Sequence, residues 1–239
     1  MGILREERIG GQRLILGNCL EVMPQLGVVD AVVTDPPYGI GYSPGCGGGG
    51  IRRKDGSRYE KRFTGKDLVI GDDKPFDPSP ILAIGVPTIM WGGNHFASRL
   101  PDSKSWLIWD KRRGTSTNDF ADAEMAWTNL QTPARCLPHL WNGMLRDSER
   151  GVPRVHATQK PIVVMKWCLS FIPDAKTILD PFMGSGTTLV ACQRTGRAGI
   201  GIEIDPVYFE TACQRVDEAA RQPDFFTAPP AKLVQEGFL

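Results

Sequence analysis

Apolar residues in this chain fall into short unbroken runs rather than long amphipathic stretches. QRLILGN, from Gln12, and VVDAVVTD, from Val28, are each bounded by turn residues. Runs of this length without strict alternation mark strands buried on both faces of a parallel sheet. CLEVMPQLG between them leaves room for only a short helix. VPTIMWGG and SWLIWDK read as two further strands, with a helix starting near Asn94 between them. After Pro161 the alternation is regular. A helix (PIVVMKWCLSFI), a strand (KTILD), a helix from Ser185, a strand (RAGIGIEID) and a helix from Pro206 to about Arg221 follow one another. This order predicts an α/β fold with a doubly wound, mostly parallel sheet.

Between Lys111 and Arg154 the pattern weakens into short strand-like pieces separated by polar and basic turns. The expectation there is an insertion, residues 111–154, that serves target recognition rather than core. QPDFFTAPPAKLVQEGFL at the end reads as a tail that packs on the body or frays. With 239 residues the chain suits a single domain over 1–239 with insertions. A net charge of +1 gives no global pull towards polyanions, so any basic surface has to be local. The six cysteines include no C-x-x-C pair, and no N-terminal run looks like a secretory leader, so the expectation is a cytoplasmic protein with reduced thiols. Cys136 and His139 lack a second ligand pair, so no metal is expected. No apolar run approaches the roughly 20 residues of a membrane span.

Two strand ends carry the chemistry. TILDPFMGSGTTLVAC places Asp180 at the end of a strand, Gly184 and Gly186 in a tight turn and Thr187 in the first turn of a helix. Glycines at such a turn let a nucleotide-like cofactor approach the backbone. No Gly-Lys-Ser/Thr follows, and Leu189 stands where a dinucleotide fingerprint has its third glycine. Glu203, at the end of the next strand, suits a ribose diol. An adenosine cofactor without a pyrophosphate is implied, and S-adenosylmethionine fits that description. The second strand end is TDPPYG. Its prolines hold the acceptors of Asp35 and Pro36 rigidly, and Tyr38 offers a ring. Taken alone, DPPY also describes a strand-ending turn whose Asp caps neighbouring amides.

TDPPYG, HATQKP and LDPFMGSGTT followed by GIEID together resemble the DNA amino-methyltransferases, which methylate the exocyclic amine of adenine or cytosine. The catalytic tetrapeptide precedes the cofactor turn, which matches the circularly permuted β class. The resemblance covers about Gly11 to Arg221. It implies the Rossmann-like fold of S-adenosylmethionine-dependent methyltransferases, circularly permuted, and a base flipped out of duplex DNA. Asp35, Pro36, Pro37 and Tyr38 become the catalytic group. The cofactor contacts become Asn18, Cys19, Asp35, Thr158, Lys160, Asp180, Pro181, Phe182, Gly184, Ser185, Gly186, Thr187 and Glu203. Within these, Thr158 and Lys160 match the segment that holds the methionine end. Asn18 departs from the family's usual acid beside the cofactor's adenine ring. Aspartate at the head of the tetrapeptide favours adenine N6; cytosine N4 is the alternative.

IRRKDGSRYEKRFTGK carries seven basic and two acidic residues after a glycine run. Residues 40–70 are therefore expected to form a mobile loop holding DNA phosphates through Arg52, Arg53, Lys54, Arg58, Lys61 and Arg62. Lys111, Arg112, Arg113, Asn118 and Arg135 are the candidates for reading a groove. His95 is expected to cap a helix or to pack. An insertion this short implies a short recognised site, or a second subunit, as in a homodimer, that helps to read it. The resemblance places such an enzyme with the DNA of a bacterium or a phage-infected cell, at the nucleoid. Rival readings are a catalytically inactive DNA-binding or cofactor-sensing protein, and an enzyme acting on RNA.

Overall fold

In the computed structural model the described residues are 2–41, 70–113, 121–142, 145–151 and 159–222. Eleven strands are formed among them: β1 (Ile3–Ile9), β2 (Gln12–Gly17), β3 (Ala31–Thr34), β4 (Thr88–Trp91), β5 (Trp106–Asp110), β6 (Ala123–Thr128), β7 (Arg135–Pro138), β8 (Trp141–Asn142), β9 (Leu145–Arg146), β10 (Thr177–Asp180) and β11 (Ala198–Glu203). The helices are α1 (Cys19–Val22), α2 (Ser79–Leu82), α3 (Ile162–Ser170), α4 (Thr187–Gln193) and α5 (Pro206–Arg221). Nine strands make one sheet in the order β1-β2-β11-β10-β3-β4-β6-β5-β7, and β8 and β9 pair apart from it. The run from β2 to β4 is parallel throughout.

The apolar runs divide between two cores, as the two-residue period of a strand requires. Leu14, Ala31, Val33, Ile89, Trp91 and Ile178 join the core that holds α3, α4 and α5. Their neighbours Ile15, Val32, Met90 and Leu179 join the opposite core with Val22 of α1 and Ile81 of α2. Helices on both faces make the sheet doubly wound. α5 starts where Asp205 Oδ1 accepts from the Val207 and Tyr208 amides and Pro206 occupies the first helical turn, a capping arrangement readable from the sequence.

Two expectations are corrected and one strand is added. The stretch near Asn94 forms two short 3₁₀ turns, Gly93–His95 and Ala97–Arg99, in place of a helix. Ile3–Ile9 is an additional edge strand, antiparallel to β2. Residues 111–154 are not purely peripheral. β6 lies between β4 and β5 in the main sheet with Ala126, Trp127 and Thr128 buried, and β7 extends the same sheet. Among the described residues no helix is long and apolar enough to cross a membrane.

Candidate functional site

β3 and β10 are hydrogen-bonded parallel neighbours, and the chain leaves them in opposite directions along the sheet, β10 leading to β11 and β3 to β4. Such a reversal opens a crevice at the carboxyl ends of the strands, where open α/β sheets bind ligands. Asp35 and Asp180 stand at those two ends. Thr34 Oγ1 donates to Asp180 Oδ1 (2.7 Å), tying the two strand ends together. Burial pushes the Asp180 carboxyl up to about 6. A cavity of about 960 Å³ opens here, lined by residues of both segments.

On the β3 side, Asp35 is partly buried and both its oxygens are engaged. Oδ1 accepts from the Tyr38 hydroxyl (2.7 Å), and Oδ2 lies 2.5 Å from Lys160 Nζ. Lys160 also donates to the Tyr38 hydroxyl oxygen (3.0 Å) and pairs with Glu124 Oε2 (3.1 Å). Lys111 completes the row with Glu124 Oε1 (3.0 Å). Charges therefore alternate along Asp35, Lys160, Glu124 and Lys111. Burial raises the Asp35 carboxyl, with Lys160 opposing. Burial works against the Lys160 ammonium too, but Asp35 and Glu124 outweigh it and lift its pKa well above the ordinary lysine value. Glu124, although desolvated, is drawn down to about 2 by Lys160 and Lys111.

The Tyr38 ring is held from two sides. The His95 imidazole stacks on it, centroids 5.0 Å apart and planes 14° apart. Gly92, at φ 72°, lets it close on the backbone; a Cβ there would meet ring atoms at 2.0 Å. Beyond Tyr38, the Gly39 and Ile40 amides donate to Asp72 Oδ1 (2.8 and 3.3 Å).

On the β10 side, Gly184 (φ 51°) and Gly186 (φ 78°) use the left-handed conformation that glycine adopts freely. The absent Cβ of Gly186 would otherwise come within 2.9 Å of Ala212 Cβ on α5. Glu203 organises this turn through amides: Oε2 accepts from Gly184 N (2.9 Å), Oε1 from Ile204 N (2.9 Å) and Asp205 N (2.8 Å). Burial pushes its carboxyl up to about 7. A carboxylate has about four acceptor positions, so capacity for a further donor remains. Arg215 of α5 braces the turn, its Nη1 donating to Ser185 O (2.6 Å), Ser185 Oγ (2.9 Å) and Thr187 Oγ1 (3.1 Å). Asn18 caps α1 by accepting from Leu20 N (3.0 Å), and its residue lines the cavity. Cys19 lines it as well, its thiol pushed up to about 11 by burial.

Asp35, Tyr38, Asn18, Cys19, Lys160, Asp180, Gly184, Ser185, Thr187 and Glu203 are thus brought to one cavity, together with Pro36, Pro37, Pro181 and Phe182. Several of the expected basic residues have protein partners. Lys160, expected at the methionine end of a cofactor, is 4% exposed and directs its ammonium at Asp35 and Glu124. Arg112, expected to read a groove, is also 4% exposed and is paired with Asp122 (2.6 Å), and Lys111 is committed to Glu124. Arg113 and Arg135 are exposed, Arg113 pairing with Asp147 (3.0 Å). Arg52, Arg53, Lys54, Arg58, Lys61, Arg62, Asn118 and Thr158 lie outside the described residues, as does most of the expected 40–70 loop. Glu124 and Arg215 were not anticipated. Their partners are distant in the chain, and no local spacing announces them. His95 neither caps a helix nor packs inside; it is exposed on a 3₁₀ turn.

The DNA methylase family with N6 and N4 members matches residues 98–214, a span that holds Glu124, Lys160, the glycine turn and Glu203. The type II methyltransferase M2.LlaDCHI of Lactococcus lactis subsp. cremoris is 28% identical over 119 residues, 49% of this chain and 44% of that protein. The chain spans less than half the length of the curated relatives it matches. Of solved structures, the M1.HpyAVI–SAM complex aligns at TM-score 0.50 and 20% identity, covering 86% of this chain and 99% of that one. PvuII DNA methyltransferase, a cytosine-N4-specific enzyme, aligns at TM-score 0.56 and 13% identity over 89% of each chain. These two likenesses concern the fold, which is that of S-adenosylmethionine-dependent DNA methyltransferases. The matched stretch, residues 98–214, runs through β10, the glycine turn and β11 on one side of the crevice, and over that stretch the chain is similar to the DNA amino-methyltransferases.

Proposed function

We propose that this chain transfers a methyl group from S-adenosylmethionine to the exocyclic N6 amine of adenine in a short duplex DNA sequence. The observation that carries this reading is the meeting, in one crevice, of a carboxylate on a proline-stiffened strand end with a glycine turn organised by an acid. The order of the two motifs supports the permuted β class. The DNA contacts fall to the basic residues 52–62 and to exposed Arg113 and Arg135. A homodimer at the nucleoid of a bacterial or phage-infected cell completes the reading.

The residues present fit the cofactor. Glu203 retains acceptor capacity for a ribose hydroxyl, the glycine turn offers backbone without side chains, and the Asn18 amide can donate to an adenine edge. When bound, S-adenosylmethionine supplies an electrophilic methyl on a sulfonium. The protein's part is to present the amine. Asp35 and the Pro36 carbonyl accept its two N–H bonds, which favours a pyramidal nitrogen with an available lone pair. This is preorganised electrostatics of the kind that lowers barriers most. Lys160, fixed by Glu124, holds the second Asp35 oxygen in place. The amine has to take over from the Tyr38 hydroxyl at Oδ1. Adenine rather than cytosine is favoured by aspartate at the head of the tetrapeptide.

The test is transfer of labelled methyl from S-adenosylmethionine to unmethylated duplex DNA, followed by nucleoside digestion and mass analysis. N6-methyladenine is expected. N4-methylcytosine would move the target to the other amine. Product on RNA in preference to DNA of equal length, or cofactor binding without product on any DNA, would overturn the reading.

Cofactor affinity is expected to depend on pH through Glu203, whose carboxyl sits near 7 against an ordinary 4.5. The ionised form accepts a ribose hydroxyl better, so calorimetric titration at pH 6 should show about fivefold to tenfold weaker binding than at pH 8. Glu203→Gln should flatten that difference. For stability the sign is opposite. The folded chain holds this proton more tightly than the unfolded one, so its contribution falls as pH rises from about 4.5 to about 7. Equal affinity at both pH values in the parent protein would remove Glu203 from the cofactor site.

A further inference from the structure

We infer that His95 is a base-stacking residue of the target pocket, acting as a pair with Tyr38. The inference rests on the proposed base-flipping reaction and adds a residue to it. The imidazole lies on the cavity wall with Asp35, Tyr38 and Lys160, yet it is exposed, and among the described residues its ring makes no hydrogen bond or ion pair. Its one ring contact there is the near-parallel stack on Tyr38.

The position is built rather than incidental. Gly92 in the left-handed region turns the chain out of β4, and the His95 amide donates to the Gly92 carbonyl (2.9 Å). Gly93 is wedged against Trp127 and Trp106, where a Cβ would meet Trp127 Cβ at 2.7 Å. The turn is thereby pinned on its inner side while its ring faces the opening. An aromatic ring held in place without burial, and without a polar partner among the described residues, gains little from the contacts described. A planar ligand would complete it.

The geometry also brings the base to His95. Centroids 5.0 Å apart are those of rings already in contact, so no third ring fits between Tyr38 and His95 as they stand. A base that approaches Asp35 on the His95 side of the Tyr38 ring either parts the pair or lies on the outer face of His95. Both routes set the base against the imidazole. Tyr38 has a reason to move, because its hydroxyl occupies the Asp35 oxygen that the amine needs.

The test compares the full chain with H95A and H95F in single-turnover methyl transfer to unmethylated plasmid DNA, with S-adenosylmethionine binding measured alongside. Loss of one base-stacking ring predicts about tenfold to a hundredfold slower transfer for H95A. H95F should recover most of the rate, and cofactor affinity should stay within about twofold in both. Parent-like transfer by H95A would overturn the inference while leaving the proposed function intact. H95F as slow as H95A would also overturn it, by assigning the effect to the ring nitrogens, and so would a matching loss of cofactor affinity. A parent protein that transfers no methyl would remove the proposed function and this inference with it.

Discussion

Asp35→Ala is expected to slow methyl transfer by about 10³-fold or more, with cofactor affinity nearly unchanged. The carboxylate is the acceptor fixed in advance where the reacting amine must donate, and no neighbouring group can replace it. Tyr38 Oη and Lys160 Nζ, its partners, are donors towards it. The cofactor turn does not depend on it, since Glu203 and Arg215 organise that turn from β11 and α5. The fold should persist as well, because Lys160 keeps Glu124 as counter-ion. Asp35→Asn, which retains one acceptor oxygen, should lose less than the alanine variant. Single-turnover kinetics with enzyme in excess separate the chemical step from DNA release. Parent-like transfer by Asp35→Ala would exclude the carboxylate as the amine acceptor.

Lys160→Met should be the most destabilising single change at the site. The Lys160 side chain, 3% exposed, lies between two carboxylates, and its removal takes from Asp35 its counter-ion and leaves Glu124 with Lys111 alone. Breaking a buried ion pair in this way costs about 3–5 kcal/mol. For a chain of this size that lowers the melting temperature by on the order of 10 °C. Adding Asp35→Asn removes the stranded charge, so the double variant should be more stable than Lys160→Met alone. The same row predicts acid sensitivity. Glu124 is held at about 2, so its stabilising contribution is complete above its ordinary 4.5 and is lost as pH falls towards 2. Urea unfolding of the three proteins measures these differences. A Lys160→Met midpoint equal to the parent's would show that the charges are not coupled.

The parts of this fold legible in the sequence are those with strong local patterns. Ala31–Thr34, Thr88–Trp91 and Thr177–Asp180 are apolar runs ended by turn residues, and each is a central strand. Ile3–Ile9 escaped notice because charged residues interrupt it, which suits an exposed edge strand. Ala123–Thr128 looked peripheral because it begins with polar and intermediate positions, although Ala126 and Trp127 are buried deep in the sheet. Gly92 and Gly93 broke the helix expected near Asn94 into 3₁₀ turns. At the site, Asp35, the glycine turn and Glu203 were visible because strand ends are local features. Lys160 was visible as a residue but not in its contacts, because the partners that decide where an ammonium points lie just after β3 and in β6. Arg215 was invisible for the same reason: helix α5 reads as amphipathic, and nothing in that pattern says that one arginine reaches back to Ser185.

The pairing of β3 with β10 acts as a ruler. Ala31 is level with Ile178 and Val32 with Leu179, so the two loops that would carry the proposed reaction start from neighbouring rungs of one ladder. Adjacent strands are about 4.8 Å apart, a spacing set by backbone hydrogen bonds whatever the side chains are. The gauge between the Asp35 side and the glycine-turn side of the crevice is therefore written into the peptide backbone. Segments attached farther out, such as β8 and β9, can be exchanged for others without resetting it. A fold with such a gauge can change its peripheral segments while the two strand ends stay in register.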